Sequence, residues 1–144
     1  MKEAPKTQIN DKESVFWCAA RVKLIIQCAL VISLATISSY FGVQLTKRIE
    51  IYPTELFLYI HLAAPIVASV YVGVREKVHP YKVTAILAAI WSLATYCLTF
   101  ATSDSNLVTH IGVILAFVKE GVFYGVLMLL ITFISNKIVM RSNA

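Results

Sequence analysis

The run "LVTHIGVILAFVKEGVFYGVLMLLITFIS", residues 107–135, holds one lysine and one glutamate side by side near its middle, Lys119 and Glu120. Its reading decides the C-terminal third of the fold. As one continuous helix it measures about 43 Å at 1.5 Å per residue, more than one membrane crossing needs, so it must tilt or protrude. The pair then lies about 18 Å from the helix start, near mid-membrane. At 100° per residue Gly112, Ala116, Lys119 and Glu120 share one side, with two small residues that suit burial against a neighbouring helix. The alternative breaks the run at the pair. Residues 107–118 then form a short surface or re-entrant segment, Lys119 and Glu120 sit at the interface, and 121–137 makes a crossing at the lower length limit. A lysine inside hydrocarbon costs about 3 kcal/mol even on lenient scales, and this cost favours the boundary reading.

Outward from that run, composition sets the class. Of 144 residues, 58% are hydrophobic and 15% charged, and the mean hydropathy of +0.74 exceeds what a soluble domain of this size hides in one core. The apolar residues form long blocks: 24–43, 56–74, interrupted by His61 and Pro65, and 83–101. Each approaches the roughly 20 residues that cross about 30 Å of hydrocarbon. With 107–135 or 121–137 as the fourth, the expected fold is all-α, a single bundle of four transmembrane helices, with 1–23 before it and 138–144 after. About 23 polar or mixed residues precede the first block, which is longer than a signal-peptide core and lacks a small-residue cleavage pattern. Retention as an anchor is expected.

The connections agree. Pro53, Thr54 and Glu55 form a helix-start pattern in which the threonine caps free N–H groups and the acid meets the positive end of the dipole. "REKVHPY", 75–81, ends the second span with cations and a proline, and "TSDSN", 102–106, is a run of capping residues. Lysines and arginines divide unequally. Ten lie before span one, in the second connection and in the tail, whereas the other side holds Lys47 and Arg48, with Lys119 unassigned. By the positive-inside rule both termini are cytoplasmic. Tyr40, Phe41, Tyr52 and Phe100 then fall near the outer interface, and Trp17 and Tyr81 near the inner one. Topology and anionic lipid account for the net charge of +5, with no nucleic acid required.

Candidate functional residues are the intramembrane polar groups Lys119, Glu120 and His61, since ionisable side chains in a span mark pathways or partners. His61 precedes Pro65 by four residues and titrates near neutral pH in water. Gln27 and the span hydroxyls, Thr36, Ser39, Thr95 and Thr99 among them, are expected to bond to carbonyls one turn back or to adjacent helices. Small residues four apart, Ala64 with Ala68, Ser69 with Gly73, Ala85 with Ala89, Ala88 with Ser92 and Gly121 with Gly125, let helices approach closely, within the chain or in a homo-oligomer. Cys18, Cys28 and Cys97 are odd in number and read as small buried apolar residues, with neither a disulfide framework nor metal-ligand spacing.

HExxH, CxxC, GxSxG and phosphate-loop patterns are all missing from the sequence, and the eight acids include Glu3, Asp11 and Glu13 before the first span. A metal, a cofactor and enzymatic chemistry are therefore not expected. Two functions fit. One is a non-enzymatic bacterial-type inner-membrane protein that binds or stabilises another membrane component, an immunity or exclusion protein being one form by class analogy. The other is a small ion-coupled carrier acting as an oligomer. A carrier needs Lys119, Glu120 or His61 on a water-accessible interior path, whereas a binding protein exposes them at an interface.

Overall fold

The computed structural model describes residues 16–49, 54–102 and 107–142. The basic segment up to residue 15, Tyr52 and Pro53 of the first connection, most of the capping run at 102–106, and the side chain of Ala116 lie outside the described residues. Four helices follow one another: α1, Ala19–Ile49; α2, Thr54–Arg75; α3, Pro80–Thr102; and α4, Leu107–Ser142. The fold is all-helical, and α1, α3 and α4 are each long and apolar enough to cross a membrane. The apolar stretch Tyr59–Arg75 of α2 is shorter.

Helix ends follow local chemistry. The Cys18 carbonyl accepts from the Arg21 and Val22 N–H groups at 3.1 and 3.0 Å, which opens α1 five residues before the apolar block begins. Pro80 is the first residue of α3, a position where its missing N–H costs nothing. Pro65 lies inside α2 and leaves the His61 carbonyl without its usual donor. α4 runs unbroken through Lys119 and Glu120 for 36 residues, about 54 Å. The helix therefore has no break at 119–120. Two adjacent charges cost an α-helix no backbone hydrogen bond, so nothing at 119–120 forces a break.

α2 and α3 each touch both remaining helices, while α1 and α4 do not touch one another among the described residues. α1 and α4 are thus the far corners of a rhombus whose short diagonal is α2 and α3. Buried residues of α1 recur as Arg21, Leu24, Ile25, Cys28, Ile32, Thr36 and Ser39, a stripe at three- and four-residue spacing. Ile32, Val72, Val83, Leu87 and Met128 fill the centre. The small-residue pairs divide. A Cβ on Gly125 would lie 3.8 Å from the Ala88 Cβ, and one on Gly121 3.0 Å from the Ser92 Oγ, so these four residues align α3 with α4 inside the chain. Ala64 and Ala68 are buried, but Ala85 and Ala89 face outward, one step around α3 from the Ala88 seam. Cys28 is buried as expected, whereas Cys97 is exposed, and all three cysteines are free.

Candidate functional site

At the end of the bundle where α2 turns into α3, the side chains of Arg21 and Glu76 are only 3% and 9% exposed. Arg21 Nε donates to Glu76 Oε2 at 2.9 Å and Nη2 donates to Oε1 at 3.0 Å, a two-pronged contact matched to the planes of both groups. Arg21 Nη1 donates to the Phe16 carbonyl at 2.7 Å. Glu76 Oε1 also accepts from the backbone N–H groups of Val78 and His79, at 3.1 and 3.0 Å. Burial pushes the Glu76 carboxyl up. Arg21 and the His79 and Val78 N–H groups outweigh it and hold the carboxyl below its usual range. One side chain thereby closes the α2–α3 turn and ties it to α1.

α4 joins the same end through polar contacts. Asn136 Nδ2 donates to the Gly73 carbonyl at 3.1 Å, and one turn deeper Thr132 Oγ1 donates to the Ser69 carbonyl at 3.2 Å. The Thr84 and Thr132 hydroxyls are 2.8 Å apart, and with the Thr132 proton committed to Ser69, Thr84 is the donor. Neither Arg21, Glu76, Asn136, Thr84 nor Thr132 stands out from composition or motif. A signal was present in phase: Arg21 continues the helical stripe of Leu24, Ile25, Cys28 and Ile32, and Glu76 is the lone acid among the cations of the second connection.

The three sequence candidates are placed differently. His61 is half-buried, its ring 5.2 Å from that of Trp91, which in turn meets Tyr124 of α4 at 5.1 Å. Lys119 and Glu120 are both exposed on the surface of the chain. So is Gly112, with open space where a Cβ would stand, and the side shared with Lys119 and Glu120 is therefore not buried against a neighbouring helix. The described side chains here, those of Gly112, Ile114, Leu115, Val118, Lys119 and Glu120, are all exposed, and Gly121 beyond them is half-buried.

Depth follows from helical rise. Asn136 is level with Gly73, and Glu120 precedes it by 16 residues, about 24 Å. A hydrocarbon layer of about 30 Å starting at the Arg21–Glu76 level ends near Phe41, Leu56, Phe100 and Ala116. Lys119 and Glu120 then sit about one helical turn inside the far face. With the layer so placed, the start of α4 lies outside it, because the helix extends to Ser142.

In the far half, Thr36, Ser39, Tyr40, Phe57, His61 and Thr95 line a cavity of about 190 Å³. Thr95 and Thr99 donate to carbonyls one turn back, both at 2.9 Å. Thr36 and Ser39 depart from that expectation: their hydroxyls are buried with no hydrogen-bond partner among the described residues. Among those residues no group of three or more His, Cys, Asp or Glu could hold a metal. No protein-family model, curated protein or solved structure matches the chain.

Proposed function

We propose that this chain is a non-enzymatic protein of the bacterial-type inner membrane that binds or stabilises another membrane protein, through the α4 side carrying Lys119 and Glu120. The carrying observation is that Lys119 and Glu120 are exposed, beside the exposed Leu115, Val118 and Val122 of the same helix. An exposed carboxylate one turn inside hydrocarbon is unfavourable against lipid alone, and a polar or charged group on a partner helix relieves that cost. A carrier would place these charges on an interior path. Here the centre of the bundle, beneath the far-half cavity, is filled by Ile32, Leu87 and Met128, and one end is closed by the Arg21–Glu76 pair, which supports binding over transport. The orientation that goes with this reading has both termini cytoplasmic, with Arg21, Glu76, Lys137 and Arg141 at the cytoplasmic face.

A photo-crosslinking residue at Val118 or Val122 is expected to give a discrete adduct in native membranes, whereas one at Leu34 of α1, equally exposed, gives only lipid adducts. Glu120→Gln should reduce the adduct at least several-fold at unchanged abundance. Equal adducts from Leu34 and Val118, or an adduct indifferent to Glu120→Gln, would rule out the α4 surface. The orientation has its own readout: in intact cells an impermeant thiol reagent should label a cysteine at Thr46 and spare one at Ser142. The reverse pattern inverts the topology.

A further inference from the structure

A pocket of about 550 Å³ opens between the start of α1 and the end of α2, with no residue of α4 in its lining. Its floor is the Arg21–Glu76 pair, in which the carboxylate is consumed by the guanidinium and two backbone N–H groups. Its wall carries Lys23, Arg75 and Lys77, together with Gln27 and the Tyr71 ring. All three wall cations are exposed, and none has an acidic partner among the described residues. Three cations with no acidic partner among the described residues thus line one concave surface built from two helices. The exposed Tyr71 ring and the buried Leu24 supply the apolar part of the lining.

We infer that this pocket binds a phosphate-bearing anion, its phosphate held by Lys23, Arg75 and Lys77. Arginine matches phosphate oxygens with paired N–H donors and lysine adds compact positive charge. Gln27 and Tyr71 add neutral groups able to bond to the hydroxyls or ester oxygens beside a phosphate. Glu76 does not repel the anion, because its charge is already matched by Arg21. Basic pockets between helices at the membrane surface suit the headgroups of anionic lipids, and a soluble phosphate compound presents the same chemistry. The apolar part of the lining is the feature that would accommodate the first carbons of an acyl chain.

The test uses the full chain, delipidated in a neutral detergent, with retained ligand read by native mass spectrometry and by thermal shift. Phosphatidylglycerol, phosphatidylcholine and inorganic phosphate are the probes. Retention of phosphatidylglycerol over phosphatidylcholine by about tenfold, undisturbed by millimolar inorganic phosphate, assigns the site to a lipid headgroup. Displacement by inorganic phosphate assigns it to a soluble phosphate compound instead. The triple change Lys23→Gln, Arg75→Gln, Lys77→Gln should abolish the preference, while Lys137→Gln with Arg141→Gln, which removes cations outside the pocket, should leave it intact. The wall residues are exposed, so the triple variant keeps the Arg21–Glu76 contact, and an unchanged melting profile without ligand verifies its fold. Retention independent of headgroup, or equal loss in both sets of variants, overturns the site.

Discussion

Glu76→Gln is expected to destabilise the protein by about 3–5 kcal/mol, the usual cost of breaking a buried ion pair and leaving one charge unmatched. Arg21→Met should cost a similar amount, because the carboxylate left behind keeps only its two backbone donors. The double change should cost clearly less than the sum of the two, since removing both charges leaves no buried ion to solvate. Unfolding of the purified protein in mixed micelles, followed by far-ultraviolet circular dichroism, measures all three. The pH dependence has a definite sign. The folded Glu76 carboxyl is held below its unfolded value of roughly 4.3. Its contribution is therefore fully present above that value and is lost as pH falls through the lower folded one. Stability should drop on acidification below about pH 4 in the parent protein, and that part of the drop should be missing from Glu76→Gln. A Glu76→Gln protein within about 1 kcal/mol of the parent, with an unchanged acid limb, would show that the contact is a surface pair of ordinary weight.

The spans were legible because hydrocarbon imposes a one-dimensional requirement, and length and polarity along the chain answer it directly. Blocks 24–43, 56–74 and 83–101 all lie within the observed helices. What the blocks do not contain is how far each helix continues beyond the apolar region. α1 extends to Ala19 and Ile49 and α4 to Ser142, because a helix needs only its own backbone hydrogen bonds, not hydrocarbon, to carry on. The candidate site was less legible. Arg21 and Glu76 are 55 positions apart, and along the chain one is a topogenic cation and the other part of a turn. Their meeting depends on α1 and α2 packing side by side, and pairing at that range leaves no periodicity in a sequence. His61 was visible as an isolated titratable residue, yet its contact with Trp91 of α3 depends on helix rotation. Rotation is only partly encoded when lipid-facing and core-facing side chains are both apolar, and Ala85 and Ala89 illustrate this by facing outward beside the buried Ala88.

Where rotation is encoded, the small residues encode it, and Gly73 does so most strictly. A Cβ there would stand 2.8 Å from both the Ser135 Cβ and the Thr132 carbonyl oxygen, and 3.3 Å from the Asn136 nitrogen. Two of those three atoms belong to the α4 backbone, which cannot swing aside as a side-chain tip can. Gly73→Ala is therefore expected to push α2 and α4 apart, at about 1–3 kcal/mol for the overpacking alone. The displacement acts on the polar contacts beside it, Asn136 to the Gly73 carbonyl at 3.1 Å and Thr132 to the Ser69 carbonyl at 3.2 Å. Each buried group left unpaired adds about 1–3 kcal/mol, less than additively because both losses share one movement. The gain in helix propensity from glycine to alanine, about 1 kcal/mol, is too small to offset this. Gly125→Ala provides the comparison. Its new Cβ would lie 3.8 Å from the Ala88 Cβ, an ordinary van der Waals distance, so that change should be neutral or slightly stabilising. Ser135→Gly placed on Gly73→Ala should recover part of the loss and no more, because it relieves the contact with the Ser135 Cβ but leaves the one with the Thr132 carbonyl. Unfolding in mixed micelles ranks the four proteins. Equal stability of Gly73→Ala and Gly125→Ala would mean that α2 and α4 do not approach as closely as these contacts require.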